Sequence, residues 1–181
     1  TTQIVALTTT QVGVLKATQI AALRVTQVAA LETTDLAVLN TTQIRALTGS
    51  QIGALTTTQV GALTTTQVGA LLGTQVLGFE TSDIAALTTT QIGALTTTQV
   101  AALTTTQARA LETTDLAVLT TTQIRGLSSA QVAALTTTQV GALTTTQVGA
   151  LLATQMLGFE TSDIAALTTT QVGALSTTQI G

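Results

Sequence analysis

The chain has no cysteine, histidine, proline, tryptophan or tyrosine, and phenylalanine occurs only 2 times. Charged residues make up 7% of its 181 positions. Each absence excludes something. Without cysteine there is no disulfide framework and no thiolate metal site. Without histidine the commonest general base is missing. Serine and threonine are plentiful but have no evident base to activate them, so no catalytic residue is assigned, no cofactor is called for, and the chain reads as non-enzymatic. Lysine and arginine number 5 against 8 aspartates and glutamates, giving a net charge of −3 and a pI near 4.5. That balance supplies no basic footprint for nucleic acid. No stretch approaches about 18 uninterrupted apolar residues, so membrane insertion is not expected, and no signal-peptide pattern is present. The sequence starts inside a repeat without an initiator methionine, which suggests a piece of a longer protein. The lack of cysteine suits an extracellular bacterial one.

What the chain does have is aliphatic residues and a period. Apolar residues reach 45%, too many for a disordered chain. The octapeptide T-T-T-Q-V-G-A-L, seen for example at Thr56 to Leu63, recurs without insertion or deletion from end to end. Leucine stands at Leu7, Leu15, Leu23 and each eighth residue to Leu175, with Phe79 and Phe159 as the substitutes. Gln or Asp stands at each eighth residue from Gln3 to Gln179, followed by a branched aliphatic in nearly every octad, Ala108 and Met156 being exceptions. So short a period indicates a solenoid or array, not a globule.

The pattern favours helix over strand. In a strand, the aliphatic residue and the Leu three positions later would point to opposite faces. On a helical wheel Gln, aliphatic and Leu lie at about 0°, 100° and 40°, one buried stripe. The variable positions (Gly53, Arg45 and Leu77 after the aliphatic; Lys16, Arg24, Glu32, Asn40 and Leu72 after the Leu) fall on the opposite side. A start signal accompanies each octad. In Leu63-Thr64-Thr65-Thr66-Gln67-Val68, Thr64 and Gln67 have the spacing of a capping box, and Leu63 and Val68 that of a hydrophobic staple. Four octads replace this pair with acids: Glu32/Asp35, Glu80/Asp83, Glu112/Asp115 and Glu160/Asp163. Triple threonine and frequent glycine are poor helix interior. The expectation is therefore an all-α solenoid of very short helices, one per octad, over residues 1–181. The alternative is a two-sided β-solenoid with two octads to a coil, because Thr and Val favour strands.

A second repeat overlies the first. LETTDLAVL occurs at Leu31–Leu39 and again ten octads later at Leu111–Leu119; LGFETSDIAALTTTQ occurs at Leu77–Gln91 and, at the same offset, at Leu157–Gln171. This is an internal duplication, with 31–110 matched by 111–181. The Glu-bearing octads share one even–odd class, and those with Arg45, Arg109 and Arg125 share the other. That alternation suggests two octads per layer, a helical hairpin. It implies about eleven layers and a length on the order of 100 Å.

Three features are candidate sites. The acidic pairs Glu32, Asp35, Glu80, Asp83, Glu112, Asp115, Glu160 and Asp163 are hard oxygen ligands that calcium would accept; as charges in a helix's first turn they also suit its dipole. Leu72, Leu77 and Phe79, with Leu152, Leu157 and Phe159, put large apolar side chains where other octads have Thr, Gly and Leu, forming either an interaction patch or a thicker core beside Gly78 and Gly158. The regular threonines are similar to an ice-binding lattice, which would require the flat β-solenoid.

LTTTQVGAL resembles the Thr-rich octapeptide arrays, L-T-T-x-Q-[IV]-x-A, of very large bacterial secreted or surface proteins of adhesin-like or haemolysin-like type. The resemblance covers the whole chain and implies an extended, extracellular, non-enzymatic module: a spacer, stalk or scaffold that associates with itself or with another protein. It transfers no site residues. The same letters are similar to the helix start of TAL effector repeats, L-T-x-x-Q-V, but that likeness ends after nine residues and carries no DNA binding with it. The alternative function is a ligand-binding β-solenoid, for ice or calcium.

Overall fold

A computed structural model of the chain describes residues 2–181. Among these there are 23 α-helices of four to six residues each and no strand. The helical reading holds, and the β-solenoid does not. The helix Thr65–Ala70 shows how the octad does this. Thr64 has extended backbone, φ −72° and ψ 155°, and its hydroxyl accepts the Gln67 amide N–H at 3.2 Å. Gln67 Oε1 in turn accepts the Thr64 N–H at 2.9 Å. Leu71 leaves the helix at φ −56° and ψ 145°, so it and the next N-cap, Leu72, are two extended residues that turn the chain before the following helix.

No described residue has a positive φ. Helices commonly end in a left-handed residue whose N–H groups satisfy the last carbonyls. These helices lack that device: the C-cap N–H reaches one carbonyl, as that of Leu71 does Val68, and the carbonyls beyond it need donors from elsewhere.

The described chain forms two compact units, Thr1–Ala94 and Leu95–Gly181, built on one rule. In the first, Ala17–Ala21 packs on Thr41–Ala46, which packs on Thr65–Ala70, which packs on Thr89–Gly93. In the second, Thr97–Ala102 packs on Thr121–Gly126, which packs on Thr145–Ala150, which packs on Thr169–Gly173. Each helix lies against the third one along, so a coil takes three octads. The two-octad hairpin, with its eleven layers, is overturned. Its evidence was the parity of the marker residues, and a duplication offset of ten octads preserves even–odd class whatever the coil size.

The core is made of the expected stripe. Val68, Ile92, Val100 and Val148 are fully buried, and the Leu of each interior octad is nearly so. Gln43, Gln51 and most later Gln positions join them. Phe79 occupies the buried place held elsewhere by Leu and is 4% exposed. Beside it, Gly78 runs directly against the helix three octads earlier. A Cβ on Gly78 would overlap the Gly49 carbonyl oxygen, and one on Gly53 would lie 2.6 Å from the Gly78 oxygen. In the second unit a Cβ on Gly158 would overlap the Ser129 carbonyl. These glycines are thus fixed by backbone-to-backbone approach, whereas Gly173 has open space around its missing Cβ.

Opposite signs are therefore expected for two glycine substitutions. Gly78→Ala should destabilise by about 1–3 kcal/mol through overpacking. Gly173→Ala should be neutral or stabilise by up to about 1 kcal/mol through helix propensity. Thermal or urea denaturation followed by circular dichroism reads both.

Candidate functional site

The feature that recurs through both units is a bridge made by one side chain. Gln75 Oε1 accepts the N–H of its own N-cap, Leu72, at 2.8 Å. Its Nε2 donates to the carbonyls of Ile44 at 2.8 Å and Leu47 at 2.6 Å. Those carbonyls close the helix Thr41–Ala46, four octads back. Gln155 repeats the arrangement with Leu152 N–H at 2.8 Å and the carbonyls of Ile124 at 2.8 Å and Leu127 at 2.6 Å. Gln59 and Gln67 reach Val28 and Leu31, and Leu36 and Leu39, in the same way. One amide thus caps the start of its own helix and the end of an earlier one. The spacing of Thr and Gln shows the first half of this role. The second half reaches back almost four octads and has no local signal.

The bridge explains why a polar side chain sits in the stripe. Gln75 is 2% exposed, and a buried amide must find partners for both its ends. Among the described residues no buried side-chain nitrogen or oxygen lacks a hydrogen bond.

Three of the acidic octads make half of the bridge. Asp83 Oδ2 accepts the Glu80 N–H at 2.9 Å, Asp115 that of Glu112 at 3.1 Å, and Asp163 that of Glu160 at 3.0 Å. A carboxylate has no N–H for an earlier coil. The carbonyls of Ile52 and Leu55 stand to Asp83 in sequence as those of Ile44 and Leu47 stand to Gln75, and Asp83 cannot bond them while ionised. Burial pushes the Asp83 carboxyl above its ordinary value; the hydrogen bond from the Glu80 amide opposes this, and the Glu80 charge adds to it. Asp115 is raised by the same causes, with Glu112 in the place of Glu80.

As candidate metal ligands, Asp35, Asp83, Asp115 and Asp163 are buried, while Glu32, Glu80, Glu112 and Glu160 are exposed at the N-caps. Among the described residues no group of three or more carboxylates is placed to hold a metal ion. The apolar candidates also separate. Leu72, Leu77, Leu152 and Leu157 are exposed, Leu157 most of all at 85%. Phe79 lies in the core and Phe159 is half-buried. Among the described residues the N-cap threonines are engaged in capping, and the remaining threonines lie in helical first turns, with no flat sheet beneath them.

Two arginines act in a way sequence reading missed. Arg45 Nε donates to the Ala70 carbonyl at 2.8 Å, and Arg125 Nε to that of Ala150 at 2.9 Å. Each ties a helix to the end of the helix three octads on. Residue type and position gave no hint of this, because the same position accepts glycine and alanine.

The family model of the ALTTAQ repeat matches residues 28–65, 76–111, 108–145 and 156–181, well over half of the sequence. No curated protein matches the chain. Among the described residues no helix is long and apolar enough to cross a membrane.

Loss of one bridge should be costly. Gln75→Leu takes their Gln partner from the Leu72 N–H and the Leu47 carbonyl and leaves the Ile44 carbonyl with the Leu47 N–H alone, and about 2–4 kcal/mol of stability should be lost. Gln75→Glu keeps the acceptor for Leu72 but not the donor. It should lose a comparable amount at neutral pH and recover part of it in acid, where the protonated carboxyl can donate. Chemical denaturation of both variants at two pH values measures this.

The raised carboxyls give a second pH effect. A carboxyl that binds its proton more readily folded than unfolded adds stability below its unfolded value of about 3.9, and loses it as pH rises through the raised folded value. Acidification from neutrality toward that window should therefore stabilise the native chain through Asp83 and Asp115. In Asp83→Asn/Asp115→Asn the amide oxygen can still accept the N-cap N–H, and that part of the gain should vanish. Melting temperatures of both proteins across the window decide it.

Proposed function

The chain belongs to the ALTTAQ repeat family, and from that membership and its glutamine bridges we propose that it is a structural repeat module: a spacer, stalk or scaffold in a bacterial secreted or surface protein. The observation that carries this reading is the use made of the polar core. The interior Gln side chains join coil to coil, and the octad varies most at positions that face solvent. A chain built this way extends by adding octads, because each coil contacts its neighbours and the contact repeats. Its exposed positions can change without touching the bridge, as Leu72 and Leu152 do at the N-cap. Nothing in this use of side chains requires a reaction, and the role is a non-catalytic one. Its partners are proteins, itself included.

Removing three consecutive octads from the second unit should leave a chain with the same helicity per residue and a smaller maximum dimension in solution scattering. Loss of helicity, or an unchanged dimension, would count against a spacer. Antibodies to the chain should label intact producing cells or the culture medium; signal found only after lysis would place it elsewhere.

A further inference from the structure

The coil-to-coil bridges are not all complete. In the first unit the carbonyls of Leu15, Leu23, Leu31, Leu39, Leu47 and Leu63 each receive the Nε2 of the Gln four octads along, at 2.6–2.8 Å. Leu55 lies between two of these, and the residue four octads along from it is Asp83. Among the described residues the Leu55 carbonyl has no hydrogen-bond donor. The second unit repeats the interruption. Leu127 and Leu143 receive Gln155 and Gln171. Leu135, between them, stands four octads before Asp163, and among the described residues its carbonyl has no donor either. Each of these aspartates uses Oδ2 on the N–H of its own N-cap, and its side chain is one methylene shorter than that of Gln.

A second weakness falls at the same place in the first unit. The helix whose end carries the Leu55 carbonyl is Gly49–Ile52, of 4 residues, between Thr41–Ala46 and Thr57–Ala62 of 6 each. Gly49 opens it where the flanking helices have Thr41 and Thr57, and glycine loses more backbone freedom on folding than any other residue. In the second unit the matching helix is Ser129–Ala133, which has 5 residues and no glycine. A stack of repeats is held by the intrinsic stability of each repeat plus its contacts with neighbours. Local opening therefore concentrates where a repeat is weak and one of its contacts is incomplete.

We propose that the Asp-bearing octads set where each unit opens: the junction of the Leu55 end with the Asp83 helix, and that of the Leu135 end with the Asp163 helix, part before the bridged junctions beside them, the first more readily than the second. This rests on the structural-module reading above and adds the way such a module yields. It gives at a fixed joint while the coils on either side keep their Gln bridges.

Hydrogen exchange resolved by residue tests this. The N–H groups of Leu47, Leu55 and Leu63 donate to the carbonyls of Ile44, Ile52 and Val60 at 3.2, 3.1 and 3.2 Å, so these bonds match while the bridges at the three helix ends do not. After correction for intrinsic rates, Leu55 should exchange about fivefold faster than Leu47 and Leu63. Leu135 should exceed Leu127 and Leu143 by a smaller factor. Asp83→Gln supplies both the methylene and the N–H. It should slow Leu55 about fivefold and leave Leu135 as it was, and Asp163→Gln should do the reverse. Unchanged circular dichroism confirms that each variant folds. Equal protection of Leu47, Leu55 and Leu63 in the native chain overturns the joints and leaves the structural reading standing. Asp83→Asn removes the charge without adding length, and if it protects Leu55 as fully as Asp83→Gln does, the joint is overturned in favour of the buried charge alone.

Discussion

A helix of four to six residues is almost nothing but ends. The first four N–H groups and the last four carbonyls of any helix lack partners inside it, and isolated helices below about 12 residues are marginal in water. A stack of such helices stands only if something outside each helix satisfies those groups. Here one side chain does much of this at both ends. The Gln amide turns its oxygen to the N-cap of its own helix and its nitrogen to the finished end of an earlier one, as at Gln75 and Gln155. The other features of the fold follow from holding that bridge in place.

The bridge sets what each octad position tolerates. The Gln must be buried beside the aliphatic residue, so those two and the Leu form the core. Substitution by Asp keeps the N-cap bond at Asp83, Asp115 and Asp163 and gives up the donor. The N-cap is less demanding. Thr64 and Asn40 accept a bond from the N3 amide, but Leu72 and Lys16 cannot, and their octads still have the Gln oxygen on the N-cap N–H. Where Phe79 replaces Leu, Gly78 lets the backbone come close to Gly49 and Gly53, and the duplicated segment keeps Gly158 while Ser129 and Ala133 stand on the other side.

A great deal of the candidate site was legible from residues alone. The capping box, the buried stripe and the exposed variable positions are relations within a single octad, and period and residue type reveal them. The double role of Gln was half visible, as an N3 acceptor. Its donor half, and the reach of Arg45 and Arg125 to Ala70 and Ala150, join residues three or four octads apart and depend on how coils stack. The apolar set likewise needed coordinates to divide it: Leu72, Leu77, Leu152 and Leu157 face solvent, and Phe79 does not.

The octad by itself determined that there would be short helices, where each begins and which face it buries, because capping and amphipathicity act within one repeat. It did not determine how many helices make a coil. That number is the sum of turns made at each pair of extended residues, and no single octad contains it. The parity of the marker residues suggested two, but a duplication of ten octads produces that parity for any coil. Only the packed structure decided on three, because only there does the Gln nitrogen meet the carbonyls four octads behind it.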